Sequence, residues 1–298
     1  MTPADTHTRG LLPLDHLVLP TWSLDVARAR LNSLGFVVAP TGIHPFGTEN
    51  CCVFLADGTY LEPLAIGDEQ RAKVAVGEGN VFVARDLLYR EKRGEDGFSA
   101  VVLGTADADQ DHARYIEAGL SAGDMLSFSR AFTDVTGKSD VASFKLAFAS
   151  AKMATDAFLF ACQRINAPDV DRSALQAHPN GATGILEVVA VSKAPAEQDR
   201  LISVAACGPA SKGQGGAFDL PNARLSVLDP AAFASRFGIP AGAPTDLRFA
   251  AVVFSVRSFD AVSRLLAAGS IEHDIAGNDI VVPPASGQGA ALIFREIP

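Results

Sequence analysis

The 298-residue chain is short of cysteine, of clustered positive charge and of long apolar runs. Its four cysteines, Cys51, Cys52, Cys162 and Cys207, form no Cys-x-x-Cys pair. Nothing in them implies a compartment that forms disulfides. Cys51 and Cys52 are neighbours in a strand-like run, so their side chains point to opposite faces and read as buried, inert thiols. Lys and Arg number 25 against 34 Asp and Glu, a net charge of -9. A phosphate-binding surface needs clustered Lys and Arg, which argues against nucleic acid or an anionic membrane as the main partner. The nearest approach to a cluster, Arg90-Glu91-Lys92-Arg93, is interrupted by acid and reads as a solvated turn. No apolar stretch is long enough to span a bilayer, and Met1 to Gly10 lacks the apolar centre of a signal peptide. The expected location is therefore cytoplasmic. Gly213-Gln214-Gly215-Gly216 has neither the strand-to-helix context nor the following Lys-Ser or Lys-Thr of a phosphate loop. There is no Gly-x-Ser-x-Gly elbow.

What is present is apolar and repetitive. At 48% hydrophobic the chain buries a sizeable core, in one large domain or two ordinary ones. A strand, a helix and several strands recur in that order. Leu14 to Pro20 opens the first unit. Apolar positions 24, 27, 31 and 34 have helical spacing, with Ser23 as N-cap and Gly35 as stop. Strands are expected at Phe36 to Ala39, Asn50 to Ala56 and Thr59 to Ala65, with Asp57-Gly58 as a hairpin turn. The second unit opens at Phe98 to Leu103, with a helix from about Asp107 to Ala118. Its strands are at Met125 to Asp134, Val141 to Ala149 and Ala157 to Gln163, and Thr136-Gly137-Lys138 makes a turn. The third opens at Gly184 to Val191, with a helix at about Ala196 to Ala206 and a strand at Asn222 to Leu228. The fourth opens at Leu247 to Val256, with a helix from Phe259 to Ala268. Its strands at Ile271 to Ile275, Asp279 to Pro283 and Ala290 to Glu296 close the chain. Asn166 to Asn180 is the natural boundary between residues 1–165 and 166–298. Residues 67–98 read as an insertion with a helix around Val81 to Arg90. Phe128, Phe132, Phe144, Phe148, Phe158 and Phe160 alternate as a buried sheet face requires.

Two polar residues stand out in apolar strands: His16 in Leu14 to Leu19, and Glu62 in Tyr60 to Leu64. Burying them is costly unless they pair with each other, bind a metal or face a wet cleft. His112, beside Asp109 and Asp111, reads as part of a solvated helix face.

The repeated βαβββ unit, opened by Asp15-His16 and closed by Tyr60-Leu61-Glu62, resembles the vicinal oxygen chelate superfamily. The block Gly42-Ile43-His44-Pro45-Phe46-Gly47-Thr48-Glu49-Asn50 resembles its glyoxalase-like domain family. So do Cys162-Gln163-Arg164 and His178-Pro179-Asn180-Gly181-Ala182. The resemblance implies an α+β fold of four βαβββ modules in paired glyoxalase/bleomycin-resistance/dihydroxybiphenyl-dioxygenase-like domains. The first and last strands of each unit would lie side by side, letting His16 and Glu62 meet in a cup.

Read with it, His16 and Glu62 are the candidate ligands of a divalent metal ion (Zn, Fe, Mn, Ni or Co), with His178 either a third ligand or a loop histidine bonded to its own Pro-Asn-Gly turn. His44 is the candidate for proton transfer, and Asn50 and Gln163 for substrate binding. Metal members of the superfamily usually draw further ligands from the partner unit. Here Ala100 stands where His16 would align, and Phe160-Ala161-Cys162-Gln163 offers no carboxylate. Glu296 stands where Glu62 would in the fourth unit, while the opening strands of the third and fourth units lack histidine. The second half then reads as a scaffold, an interface or a metal-free pocket. The implied function is that of a lyase or isomerase acting on a small oxygenated substrate. The alternatives are a metal-free binding or resistance protein and an extradiol-type dioxygenase. No nucleic acid or membrane partner is implied, and the resemblance allows a homodimer.

Overall fold

A computed structural model describes residues 10–133, 139–151, 157–167, 170–211, 216–243 and 245–297. The turn expected at 136–138, the side chain of Phe132 and His7 lie outside the described residues. The first half runs β1 (Leu14–Pro20), α1 (Leu24–Ser33), β2 (Gly42–Ile43), β3 (Thr48–Asn50), β4 (Val53–Phe54), β5 (Tyr60–Ile66), α2 (Glu69–Gly77), α3 (Val81–Arg93), β6 (Ala100–Gly104), α4 (Ala108–Glu117), β7 (Leu126–Thr133), β8 (Ser139–Ala149) and β9 (Phe158–Asn166). The second runs α5 (Ser173–Gln176), β10 (Ala182–Val191), α6 (Asp199–Ala205), β11 (Ala217–Asp219), β12 (Arg224–Leu228), α7 (Pro230–Phe237), β13 (Arg248–Val256), α8 (Phe259–Ala268), β14 (Asp274–Ala276), β15 (Asp279–Val282) and β16 (Ala291–Glu296).

These strands make two curled sheets. One is ordered β2-β3-β5-β1-β6-β9-β8-β7, with β4 on β5; the other is ordered β11-β12-β10-β13-β16-β15-β14. Each opening strand pairs in parallel with the closing strand of its own repeat: β1 with β5, β6 with β9, β10 with β12 and β13 with β16. The opening strands then pair antiparallel with one another, β1 with β6 and β10 with β13. Parallel partners buried on both faces call for near-continuous apolar runs, which β1, β6, β10 and β13 have.

Local signals set the helices. The side chain of Ser23 accepts from Val26 N at the start of α1, and Ser258 does the same from Ala261 N for α8. Gly35 sits at φ +79° and Gly119 at φ +67°, where an L side chain is strained. Helices α1, α4, α6 and α8 contribute to a core that draws on both sheets, from Leu17 and Leu34 to Phe254 and Phe294.

Several expectations are corrected. Residues 90–93, expected as a solvated turn, are the end of α3 with Arg90 buried. Phe36 to Ala39 forms no strand, because its backbone is used elsewhere. Val37 N donates to the His178 ring, and the carbonyls of Val38 and Ala39 accept from Arg28. His112 is half-buried and Asp111 is fully buried. Their helix α4 packs on α6: Arg114 pairs with Asp111 and also donates to Val204 O, and the Tyr115 hydroxyl donates to Ala205 O. The insertion holds two helices, α2 as well as the expected α3.

That insertion positions the site. Ala72 and Ala75 of α2 and Phe82 and Val83 of α3 pack into the same cluster as Val18, Leu64, Ala100, Val102 and Phe160 on the concave face of the first sheet. Buried Arg90 pins α3 down. It pairs with Asp86 at 2.7 Å and donates to the carbonyls of Thr21 and Leu64 at the ends of β1 and β5.

Candidate functional site

In β1 and β5 the parallel register sets His16 opposite Tyr60 and Val18 opposite Glu62. His16 and Glu62 point into the cup, and His16 Nε2 lies 3.4 Å from Glu62 Oε2. Neighbours in a strand ordinarily face opposite ways, yet Asp15 Oδ1 is 2.6 Å from His16 Nδ1. The register between β1 and β6 shifts between Leu14 and His16. Such a bulge re-aims a side chain and brings Asp15 round to the ring. Arg164, from β9, pairs with Asp15 at 2.8 Å. Tyr60 stacks on His16 with ring centroids 4.3 Å apart, and Phe160 meets it edge-on.

The 42–50 block supplies the opposite wall. His44 Nε2 lies 3.6 Å from the other carboxylate oxygen, Glu62 Oε1. Asn50 Nδ2 donates to Glu62 Oε1 at 2.6 Å and also faces His44 Nε2 at 3.4 Å. That amide makes His44 Nε2 an acceptor, so Nδ1 carries the hydrogen and donates to Thr48 Oγ1 at 2.8 Å. Phe46, Phe82 and Phe128 pack around the His44 ring. His16, His44, Asn50 and Glu62 are all buried.

Burial and neighbours split the two imidazoles. For His16, burial opposes the charged form, but the hydrogen bonds and charges of Asp15 and Glu62 outweigh it and raise the pKa. For His44, burial, with the Arg130 and His16 charges, overcomes Glu62 and lowers the pKa to about 4. Glu62 itself is lowered to about 2: burial would raise it, but the hydrogen bonds and charges of His16, His44 and Asn50 prevail. A raised His16 and a lowered His44 thus flank one lowered carboxylate, Glu62, and such a separation of pKa values is a feature of acid–base sites.

Four of the sequence candidates therefore meet: His16, His44, Asn50 and Glu62. The other two lie elsewhere. His178 Nδ1 accepts from Val37 N at 3.0 Å and its Nε2 hydrogen-bonds Phe54 O at 2.9 Å. Both nitrogens are taken by backbone, which leaves none for a metal. Gln163 accepts from Ala108 N and donates to Ala106 O, so it ties the start of α4 to β9. Asp15, Tyr60, Thr48 and Arg164 were missed. Asp15 and Tyr60 stand close in sequence to His16 and Glu62, Thr48 lies within the 42–50 block, and Arg164 belongs to the Cys162-Gln163-Arg164 motif.

The same residue separation relates the N-caps Ser23 and Asp107, the glycines Gly35 and Gly119, and His16 and Ala100. Ala100 faces Phe158 across β6 and β9, so Phe160 occupies the counterpart of Glu62. The partner repeat thus closes the site with a methyl and a phenyl group. Among the described residues, no group of three or more His, Cys, Asp or Glu is arranged as a metal cage. The donor chemistry at Glu62 nevertheless fits a divalent ion. An imidazole nitrogen and a carboxylate oxygen are the right donors. Asp15 orients His16 through Nδ1, as outer-shell carboxylates do for metal-bound histidines. His44 Nε2 and Glu62 Oε1 present two lone pairs to one space, an arrangement that a shared cation or proton relieves.

Paired curled sheets with a His–Glu centre at the first parallel strand pair define a protein of the vicinal oxygen chelate type. Residues 14–204 match the family described as the glyoxalase-like domain, and the chain belongs to that family. No curated protein matches the sequence significantly. Among solved structures, a hypothetical protein from Staphylococcus aureus superposes with a TM-score of 0.65 at 15% identity, covering 96% of this chain and 100% of its own. A mutant 4-hydroxymandelate synthase from Streptomyces coelicolor gives 0.56 at 13%, covering 96% and 93%. A Mn(II)-bound glyoxalase from Novosphingobium aromaticivorans gives 0.52 at 12%, covering 96% and 82%. At these identities the likeness is one of fold. Among the described residues no helix is long and apolar enough to cross a membrane.

Proposed function

We propose that the protein is a divalent-metal-dependent lyase or isomerase acting on a small oxygenated substrate. The carrying observation is that His16 and His44 address the two oxygens of one buried carboxylate, Glu62, at 3.4 and 3.6 Å. His16 and Glu62 would hold the ion. Bound there, a divalent cation supplies Lewis acidity to adjacent substrate oxygens, easing formation of an enolate or similar oxyanion. Neutral His44 takes the substrate proton at Nε2, and the neighbouring carboxylate oxygen stabilises the resulting imidazolium. Asn50 orients that oxygen, and Thr48 holds the His44 ring in the accepting tautomer. The α2–α3 cover excludes water, which strengthens each of these interactions.

The test is metal analysis of purified protein after reconstitution, with His16→Ala, Glu62→Ala and His44→Gln alongside. Near-stoichiometric metal is expected in the wild type and in His44→Gln, and its loss in the other two. Screening against oxo acids, diols and catechols then reads turnover, which His44→Gln abolishes. Absence of bound metal in reconstituted wild type sinks the reading.

A second reading, a metal-free binding protein for an apolar or aromatic ligand, is supported by Ala100 and Phe160 at the partner positions. It expects ligand binding that survives metal chelation.

A further inference from the structure

The second sheet repeats the first, and the repeat locates a second site. Val18 faces Ala100 across β1 and β6, and Val189 faces Ala251 across β10 and β13. With these pairs superposed, Glu187 falls on His16. Arg224, opposite Glu187 in the parallel register, falls on Tyr60, and Ser226 falls on Glu62. Arg295 falls on Cys162 by the same count along β16 and β9.

At this place lies a cavity of about 330 Å³ lined by Glu187, Arg224, Ser226, Arg236 and Arg295. Arg236 reaches in from α7 and grips Glu187 with two hydrogen bonds, 2.9 and 2.5 Å. Arg295 makes a matching fork on Asp279, 2.7 and 2.6 Å. Arg224 Nε donates to Ser226 Oγ at 3.3 Å, and its Nη1 lies 3.5 Å from Asp219.

Three guanidinium groups thus face a space whose wall holds one carboxylate. A guanidinium carries five N–H donors, and the forks of Arg236 and Arg295 occupy two each. The side chains of Arg236, Arg295 and Arg224 are 32%, 31% and 36% exposed while Glu187 is at 6%, so an incoming group meets the arginines first. Planar guanidinium forks match carboxylate and phosphate geometry. A purely structural ion pair needs no open cavity beside it, and this one lines a cavity with three guanidinium groups.

We infer that the cup of the second sheet binds a small anion through a carboxylate or phosphate group, held by Arg224, Arg236 and Arg295. Glu187 acts as the built-in counter-ion with which that ligand competes. The inference is independent of any metal in the first cup.

The test is titration of the full-length protein with potassium phosphate and with potassium malonate at constant ionic strength, followed by calorimetry and by the thermal midpoint. Saturable binding of at least one anion is expected. Phosphate alone identifies a phosphorylated ligand class, and malonate alone a carboxylic acid. Arg224→Gln, at the exposed rim, should weaken binding at least tenfold. Glu187→Gln, which releases Arg236, should tighten it severalfold, a change that a structural role would not produce. No saturable binding of either anion, or affinities unchanged in both variants, overturns the proposal.

Discussion

The two cups share one backbone plan and carry opposite chemistry. Each is formed by two opening strands in antiparallel contact, each flanked by its own closing strand in parallel. Each is covered on its apolar side by helical segments that follow a closing strand. In the first, Phe82 of α3 packs over Val18, Ala100, Val102 and Phe160. In the second, Phe233 and Phe237 of α7 pack over their counterparts Val189, Ala251, Val253 and Ile293. The apolar positions are thus filled alike, and the polar positions are not. His16 and Glu62 give way to Glu187 and Ser226, Tyr60 and Cys162 to Arg224 and Arg295. The comparison teaches that the sheet pairing creates an addressable position in each half, while the side chain placed there decides between a buried His–Glu centre and an arginine-lined pocket.

Breaking the first centre should have the largest effect. Replacing Glu62 by Gln keeps the shape but removes the charge that pairs His16 and faces His44. Turnover in a substrate screen should fall by about a thousandfold or more, of the order seen when preorganised charge stabilisation is lost, with circular dichroism unchanged.

Acid should separate the cups next. His44 has its pKa lowered to about 4, below its ordinary value of 6.5. The unfolded chain therefore binds a proton there that the folded protein does not. Stability falls as pH drops from about 6.5 towards 4, by roughly 3 kcal/mol if the whole shift is realised. His16, raised instead, contributes stability that is kept as pH falls below its ordinary value and is lost only as pH rises, so the loss in acid does not come from it. Glu62 and Glu187, both lowered, release their contribution only below the ordinary carboxylate range. Denaturant melts at pH 6.5 and 4.5 should show a loss that His44→Gln reduces. An equal loss in that variant would place the titrating group elsewhere.

Truncating the covers sharpens the structural half of the comparison. Phe82→Ala and Phe233→Ala remove buried rings over equivalent positions and should each cost about 3 kcal/mol in urea unfolding. A much smaller loss for Phe82 would show that α3 is looser over the first cup than α7 is over the second.

The smallest effect concerns the Glu187–Arg236 fork. Arg236→Ala leaves a buried carboxylate unpaired and should cost about 2 kcal/mol, less than a fully buried pair because the arginine is partly exposed. The double replacement Glu187→Gln with Arg236→Gln should recover much of that loss in the same melts.

Much of the fold was legible because local rules and tertiary packing agree. Ser23, Ser258, Gly35 and Gly119 act as the caps and stops their residue types suggest, and β1, β6, β10 and β13 follow their apolar runs. Where local signals were weak, elements were missed. Helix α2 buries mainly Ala72 and Ala75, too small to show a clear stripe. Helix α7 did carry a signal, Asp229 as N-cap with Pro230 after it and Gly238 beyond its end, the usual asymmetry of helix termini. Glu296 does not occupy the place its position in the sequence suggests. Register puts Ile293, not Glu296, at the counterpart of Glu62, and Glu296 instead accepts from Phe259 N at the start of α8.

The candidate site divides in the same way. The expense of a histidine and a glutamate in apolar strands, and the polar block at 42–50, were visible in the chain itself. Their meeting was not, since it depends on parallel pairing between strands separated by a helix. Nor was the fate of His178, whose ring satisfies the backbone of residues that left the expected strand, nor the bulge that turns Asp15 towards His16. The arginine pocket was silent for the same reason: Glu187, Arg224, Arg236 and Arg295 come from four separate elements. By itself the sequence determined the strand-and-helix repeat, the caps and the identity of His16, His44, Asn50 and Glu62, because propensity, periodicity and the cost of burying charge act locally. Only the tertiary structure decided which polar groups share a cup, because strand register and helix cover, not sequence spacing, set the few ångströms over which imidazole, carboxylate and guanidinium interact.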